Sequence, residues 1–175
     1  MDDIVIQAMA KWPNVPDCYG WLGLDARGRW YLRDAQTQAR GDFMQARGDR
    51  LEHPGLLAFI ERNYTCDVRG CWYFQNGPQR VFVELEAAPL VWRLQPQGGA
   101  CAHTGVQSAG TSRWLVDERG WLYLDCAQGF GLVHSLDMEL AARRIEQQGG
   151  EVREVRRDEL PARFGFVLSP AQLQA

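Results

Sequence analysis

A seven-residue phrase occurs three times in this chain. It reads Asp25-Ala-Arg-Gly-Arg-Trp-Tyr31, then Asp67-Val-Arg-Gly-Cys-Trp-Tyr73, then Asp117-Glu-Arg-Gly-Trp-Leu-Tyr123. Asp, Arg, Gly and Tyr keep their places in every copy. Asp opening a turn and Gly closing it fit a type I turn with a glycine bulge, in which the glycine takes a positive φ. Each phrase therefore predicts a tight turn that feeds a strand. Side chains alternate along a strand. Trp30 and Leu32, Trp72 and Phe74, and Leu122 and Leu124 are thus expected on an apolar, buried face. Tyr31, Tyr73 and Tyr123 point the other way, accompanied by Arg27, Arg69 and Arg119.

The rest of the chain supplies helices between and after these hairpins. Residues 3–12 read as a helix with Ile4, Ala8 and Trp12 on one face, ended by Pro13. A hairpin over 19–33 and a polar loop over 34–52 follow. Pro54 then opens a helix to residue 62, with Leu56, Leu57 and Ile60 as its stripe. Residues 63–95 read as a four-strand antiparallel meander, helped by Asn76-Gly77. Residues 96–112 are Gly-, Ser- and Ala-rich and read as a flexible connection. The third hairpin covers 113–125. Ser135 caps a helix through Gln148 with Leu136, Leu140, Ala141 and Ile145 on one face, stopped by Gly149-Gly150. Short strands near 152–155 and 164–168 close the chain.

This pattern predicts the α+β class: an antiparallel sheet built from three repeated β-hairpins with Asp-x-Arg-Gly turns, together with two or three helices. The expected organisation is a hairpin, helix and meander unit over 1–95, the connection over 96–112, and a third hairpin plus helix over 113–175, packed with the first unit.

Residues 20–95 resemble a pattern found in bacterial protein families of unknown function. Its pieces are Gly28-Arg-Trp-Tyr31, the short helix around Leu56 to Ile60, the second hairpin from Asp67 to Phe74, and the Glu86-Ala-Ala-Pro89 turn. The resemblance implies a small bacterial α+β protein and carries no activity with it.

Bulk chemistry narrows the function classes. The 175 residues carry a net charge of −3, and Lys11 is the only lysine among 19 basic residues. No basic patch of the kind that neutralises phosphates is evident, so nucleic acid is not an expected partner. The densest charge run, Arg143 to Arg163, interleaves arginines with acids and reads as a solvated face with weak ion pairs. No apolar stretch approaches a membrane span, and the N-terminus lacks a signal-peptide pattern. Five cysteines at irregular spacing read as reduced cytosolic thiols.

Four constellations have chemical potential. Cys66, Cys71, Cys101 and His103 are four nitrogen and sulfur ligands of the type zinc takes. Cys66, however, holds the place of Leu24 and Val116 in the other copies, a core slot, so no metal and no cofactor are expected. A thiol such as Cys126 or Cys71 needs a histidine, and His53, His103 and His134 are the candidates. Neither cysteine stands at a helix N-terminus, where its pKa would fall. Gly129-Phe-Gly131 is separated from the next helix by Leu132, Val133 and His134, unlike a phosphate cradle. The Tyr/Arg set is the fourth, since these residue types are enriched at binding hot spots.

The expected protein is therefore a non-enzymatic binding module. It engages an unknown protein or small molecule through its Tyr/Arg sheet face or through the groove beside the 96–112 loop. The alternative is a small cysteine- or metal-dependent enzyme.

Overall fold

In the computed structural model, which describes residues 1–108, 112–149 and 151–174, the three phrases are turns closed by the same backbone hydrogen bond. Asp25 N–H donates to Arg29 C=O, Asp67 N–H to Cys71 C=O and Asp117 N–H to Trp121 C=O, each at 3.0 Å. Gly28, Gly70 and Gly120 take φ of 73°, 79° and 76°, a region where a side chain would meet the following carbonyl. The aspartate side chain completes each turn by accepting backbone N–H groups. Asp117 Oδ1 takes those of Arg119 and Trp121, Asp67 Oδ1 those of Arg69 and Cys71, and Asp25 Oδ1 that of Arg29. This local bonding is why Asp recurs there.

A fourth turn has the same form without the phrase. Gln95 N–H donates to Gly99 C=O at 3.2 Å, and Gly98 N–H to Gln95 C=O at 3.0 Å, as Gly70 and Gly120 do to Asp67 and Asp117. Gly98, at φ 111°, fills the glycine position.

The chain divides into two units, one made of Met1–Asp25, Arg29–Glu86 and Phe166–Ala175, the other of Ala26–Gly28 and Ala87–Gly165. The first unit holds helices α1 (Asp3–Lys11), α2 (Ala35–Ala39) and α3 (Pro54–Arg62). Its strands are β1 (Cys18–Leu24), β2 (Trp30–Leu32), β3 (Asp49–Arg50), β4 (Tyr64–Cys66), β5 (Trp72–Asn76) and β6 (Gln79–Leu85). They form one sheet in the order β3-β2-β1-β6-β5-β4. The second unit holds β7 (Leu90–Leu94), β8 (Ala100–Ala102), β9 (Gln107–Ser108), β10 (Arg113–Asp117), β11 (Leu122–Cys126), β12 (Gly129–Val133) and β13 (Val152–Val155). Its helices are α4 (Met138–Gln148) and α5 (Leu160–Phe164). Its sheet runs β13-β10-β11-β12-β7-β8-β9.

The two sheets share one plan. Numbered within its own unit, each runs 3-2-1-6-5-4, with the first and sixth strands parallel at the centre and the hairpins antiparallel outside them. The second unit adds β13, parallel to β10. The Asp67 and Asp117 turns occupy the same place in this plan, and the Gln95 turn occupies the place of the Asp25 turn.

The α+β class holds, but the expected single antiparallel sheet does not: both sheets are mixed. Parallel pairing of β1 with β6 and of β7 with β12 joins strands distant in sequence, which turn chemistry alone does not reveal. The meander expected over 63–95 ends at β6. After the Ala87-Ala88-Pro89 break, β7 enters the other sheet between β12 and β8. The 96–112 connection contains β8 and β9; its residues 109–111 lie outside the described residues, as does Gly150 of the expected helix stop. Gly149 ends α4 in the left-handed conformation. The segment near 164–168 is no strand, since α5 ends at Phe164, with Gly165 as its left-handed cap, and the chain runs on without a ladder.

Helix faces also differ from expectation. Val5 is the buried residue of α1, whereas Ile4 and Trp12 are exposed; Ile60 is buried in α3 and Leu56 exposed. Leu136 precedes α4 in a 3-10 turn and is exposed, and Ala141 is the buried residue of the helix.

Candidate functional site

The tyrosine face expected from the sequence does not exist as an open surface. Tyr31, Tyr73 and Tyr123 are 9%, 8% and 0% exposed, whereas of the set expected to be buried Trp30, Phe74, Leu122 and Leu124 are buried, Trp72 is half-buried and Leu32 is exposed. Tyr31 and Tyr73 belong to one sheet and Tyr123 to the other. Their rings serve the core instead. The Tyr31 and Tyr123 hydroxyls donate to Asp25 Oδ2 and Asp117 Oδ2, and the Tyr73 ring packs on Phe82 at 5.5 Å. Arg27, Arg69 and Arg119 are exposed. Arg69 turns back on its own turn, donating to Asp67 Oδ2 at 2.8 Å with its guanidinium 5.7 Å from the Phe82 ring.

The other expected constellations are also taken apart. Cys66 and Cys71 lie in the first unit, Cys101 and His103 in the second. Cys66 is exposed, against the core slot read for it from the repeat, and Cys71 is wholly buried. Burial and the neighbouring Asp67 carboxylate push the Cys71 thiol up, away from a reactive thiolate. No group of three or more His, Cys, Asp or Glu among the described residues is placed to hold a metal ion. All three histidines use Nδ1 to accept a backbone N–H: His53 from Leu56, His103 from Val91 and His134 from Leu136. His53 and His134 cap helix starts in this way, while His103 binds strand β7. Gly131 lies within β12, where Leu90 C=O and the Trp92 indole approach its backbone too closely for a side chain. That close approach accounts for the glycine without a phosphate.

A cavity of about 620 Å³ opens on the sheet of the second unit, within the usual size of small-molecule sites. Trp114, Leu115 and Leu124 of the β10–β11 hairpin are buried and give it an apolar wall. Ala100 and Ser108 of β8 and β9 line it from the other end of the sheet. Four arginines line it, Arg113, Arg144, Arg153 and Arg163, against two acids, Asp125 and Glu151. Excess positive charge gathered in a chain of net charge −3 is a local property, not a reflection of composition.

Each arginine is placed by a different element. Arg113 stands directly across the β10–β11 ladder from Asp125, and the two form an ion pair with Nε at 2.9 Å from Oδ2. Arg144 projects from α4 and donates to Gly99 C=O at 2.8 Å and to Gln95 C=O, clasping the fourth turn. The start of that helix is fixed by Asp137, buried against β7, which accepts from Arg93 Nε at 2.7 Å and from Leu94 N–H at 3.0 Å. Arg153 on β13 and Arg163 on α5 line the cavity while remaining exposed. Beside Arg163, the Phe164 ring stacks on Phe130 at 3.9 Å and 8°.

Arg144, Arg153 and Arg163 all belong to the charge run that reads in sequence as a solvated face. Their convergence depends on β13 joining β10, a pairing with no local signal. Gly99, Ala100, Ser108 and Ser112 of the 96–112 segment line the cavity.

An α+β chain of two mixed sheets with an arginine-lined groove is the class that the geometry defines. The chain belongs to the family DUF2944, described as a protein of unknown function (DUF2946), whose sequence model matches residues 1–171. Comparison with curated proteins gives no match. Among solved structures, the chain is similar to a DUF1285 family protein from Silicibacter pomeroyi DSS-3. The identity is 15% and the TM-score 0.50, with 81% of this chain and 83% of that one covered. A DUF1285 family protein from Shewanella baltica OS155 matches at 16% identity and a TM-score of 0.46, covering 71% of this chain and 91% of that one. The first likeness shows a shared fold. Resemblance to families of unknown function is thus met over nearly the whole chain, not only residues 20–95. No helix among the described residues is long and apolar enough to cross a membrane.

Proposed function

We propose that this protein is a non-enzymatic bacterial binding module whose second unit takes a small anionic molecule into the arginine-lined groove. The observation that carries the reading is the convergence of Arg113, Arg144, Arg153 and Arg163 on one cavity with an apolar wall. Guanidinium groups present planar, paired donors suited to carboxylate and phosphate. Arg113 and Arg144 are held in place by Asp125 and by the fourth turn, so part of the charge is already oriented before a ligand arrives. Ser108, Ser112 and Gln148 add neutral hydrogen-bonding groups. A cytoplasmic site of action is supported by the five free thiols.

A cysteine enzyme is the second reading. Cys126 borders a recess of about 320 Å³ together with Arg113 and Asp125. Its thiol is hydrogen-bonded to Gly129 C=O at 3.3 Å.

The test is calorimetric titration with inorganic pyrophosphate at low ionic strength. Wild type is expected to bind, more weakly as salt is added. The double change Arg153→Ala with Arg163→Ala should abolish binding with melting lowered only slightly, since both side chains are exposed and Arg163 gives up its place over the Phe164 ring. Equal binding by the double variant removes the groove from consideration. Alkylation of Cys126 at pH 7 far faster than a free thiol favours the enzyme.

A further inference from the structure

Resting on that anion-binding reading, we infer that the ligand is a planar aromatic molecule bearing its negative charge on or near the ring. The inference comes from a feature the arginines alone do not require. Tyr123, Phe130 and Phe164 form a continuous stack through the second unit. Tyr123 and Phe130 lie 5.3 Å apart at 14°, and Phe130 and Phe164 lie 3.9 Å apart at 8°. The inner two rings are buried, and the terminal one, Phe164, is half-buried and borders the cavity.

The stack is held rigid from within. The Tyr123 hydroxyl is fixed by Asp117 at 2.8 Å, and Phe130 sits on β12. Phe164 is the last residue of α5, set by the left-handed Gly165 that follows it. Stacked rings whose faces stay parallel form a platform on which another flat ring adds with little loss of freedom. The Arg163 guanidinium lies over the Phe164 ring, 5.6 Å from its centroid, while Phe130 stacks on that ring at 3.9 Å, so the stack ends on a planar cation on which a further flat ring is laid. A planar ring laid on that surface carries its carboxylate or phosphate toward Arg163 and Arg153, while the apolar wall of Trp114, Leu115 and Leu124 excludes water from its edge. A saturated ring of equal bulk meets the same charges and wall without parallel stacking. A bare anion meets the charges alone.

Four probes separate these contributions by calorimetry on the wild-type protein: 2-naphthoate, the fully saturated decalin-2-carboxylate, 2-naphthalenemethanol and inorganic phosphate. Naphthoate is expected to bind about tenfold more tightly than the saturated acid, and more tightly than phosphate or the alcohol. The change Phe164→Leu keeps an apolar residue at the end of α5 and should weaken naphthoate about fivefold while leaving the saturated acid unchanged. If the saturated acid binds as tightly as naphthoate, or if Phe164→Leu weakens both equally, the aromatic assignment is overturned and the anion reading stands. If the alcohol binds as tightly as naphthoate, the anion reading itself fails. Absence of binding by every probe overturns both.

Discussion

The hydroxyl of Tyr123 donates to Asp117 Oδ2 at 2.8 Å, and both side chains are buried. This bond ties the last residue of the repeated phrase to the first in the third copy, and the same bond recurs in the first copy. The aspartate closes the turn with Oδ1 and needs a donor for Oδ2; the tyrosine six residues on supplies it. Tyr31 does the same for Asp25 at 3.2 Å, beside Arg29 Nε, which donates to the same oxygen at 2.7 Å; in the middle copy Arg69 takes Oδ2 of Asp67. Burial and the adjacent carboxylate push the Tyr123 phenol well above its ordinary value, so it remains a donor. Tyr123→Phe is therefore expected to cost about 1–3 kcal/mol, because a buried carboxylate loses a partner. Tyr73→Phe should cost clearly less. Urea denaturation of the two variants checks the difference, and equal losses would remove the turn-locking role.

The glycines separate two kinds of constraint. At Gly120, φ is 76° and an added Cβ meets no atom within 4 Å. Gly120→Ala should therefore lose only the conformational penalty, about 1–2 kcal/mol. At Gly131 the backbone is ordinary, but an added Cβ would stand 2.6 Å from Trp92 Nε1 and 2.7 Å from Leu90 C=O. Trp92 is wholly buried and the carbonyl belongs to the neighbouring strand. Neither moves easily, so Gly131→Ala should destabilise at least as much, by about 1–3 kcal/mol through overpacking. The indole fluorescence of Trp92 should shift in this variant alone.

Two buried carboxylates make opposite contributions to acid stability. Burial raises the Glu84 carboxyl above its ordinary value of 4.5, against hydrogen bonds from Ser169 and Ala171 N–H. The folded state then holds the proton more tightly than the unfolded chain. The Glu84 contribution is greatest at low pH and is lost as pH rises from 4.5 through the folded value. Burial also acts on Asp137, but bonds from Arg93 and Leu94 N–H outweigh it and hold the carboxyl below 3.8. Its contribution is present above 3.8 and is lost as pH falls through the folded value. Glu84→Gln should flatten the stability profile above 4.5, and Asp137→Asn should flatten it below 3.8 while lowering stability at neutral pH. Denaturation midpoints from about pH 3 to about pH 7 test both signs.

Local chemistry was legible in the sequence and long-range pairing was not. Asp25, Asp67 and Asp117 announce turns because the bonds that shape them lie within four residues. Alternation correctly separated the Tyr positions from the Trp and Leu positions. It could not show that both sheet faces at Tyr73 and Tyr123 are covered, because that depends on other elements packing there. The Gln95 turn keeps the backbone bonds and the glycine of the phrase but neither its Asp nor its Arg; Pro96 and Gly98-Gly99 mark a turn there without marking its kinship to the phrase. Arg144, Arg153 and Arg163 were visible as charges. Only the β10–β13 pairing and the placement of α4 and α5 turn them toward one cavity.

The Gln95 turn replaces the missing aspartate with contacts from another element. Where Asp117 accepts the turn's N–H groups, Arg144 of α4 donates to the turn's carbonyls, to Gly99 C=O at 2.8 Å and to Gln95 C=O. The two bonds use different nitrogens of one planar group, a geometry lysine does not reproduce with a single ammonium. Arg144→Ala should cost about 1–3 kcal/mol, the range for charge-assisted hydrogen bonds. Arg144→Lys should recover less than half of that loss, although it keeps the charge in the groove. Amide hydrogen exchange gives the local readout: protection at Gly98, whose N–H bonds to Gln95 C=O at 3.0 Å, should fall in both variants while protection at Gly120 is kept. Full stability in Arg144→Lys, or equal loss of protection at Gly120, would show that the turn does not depend on the paired donors of α4.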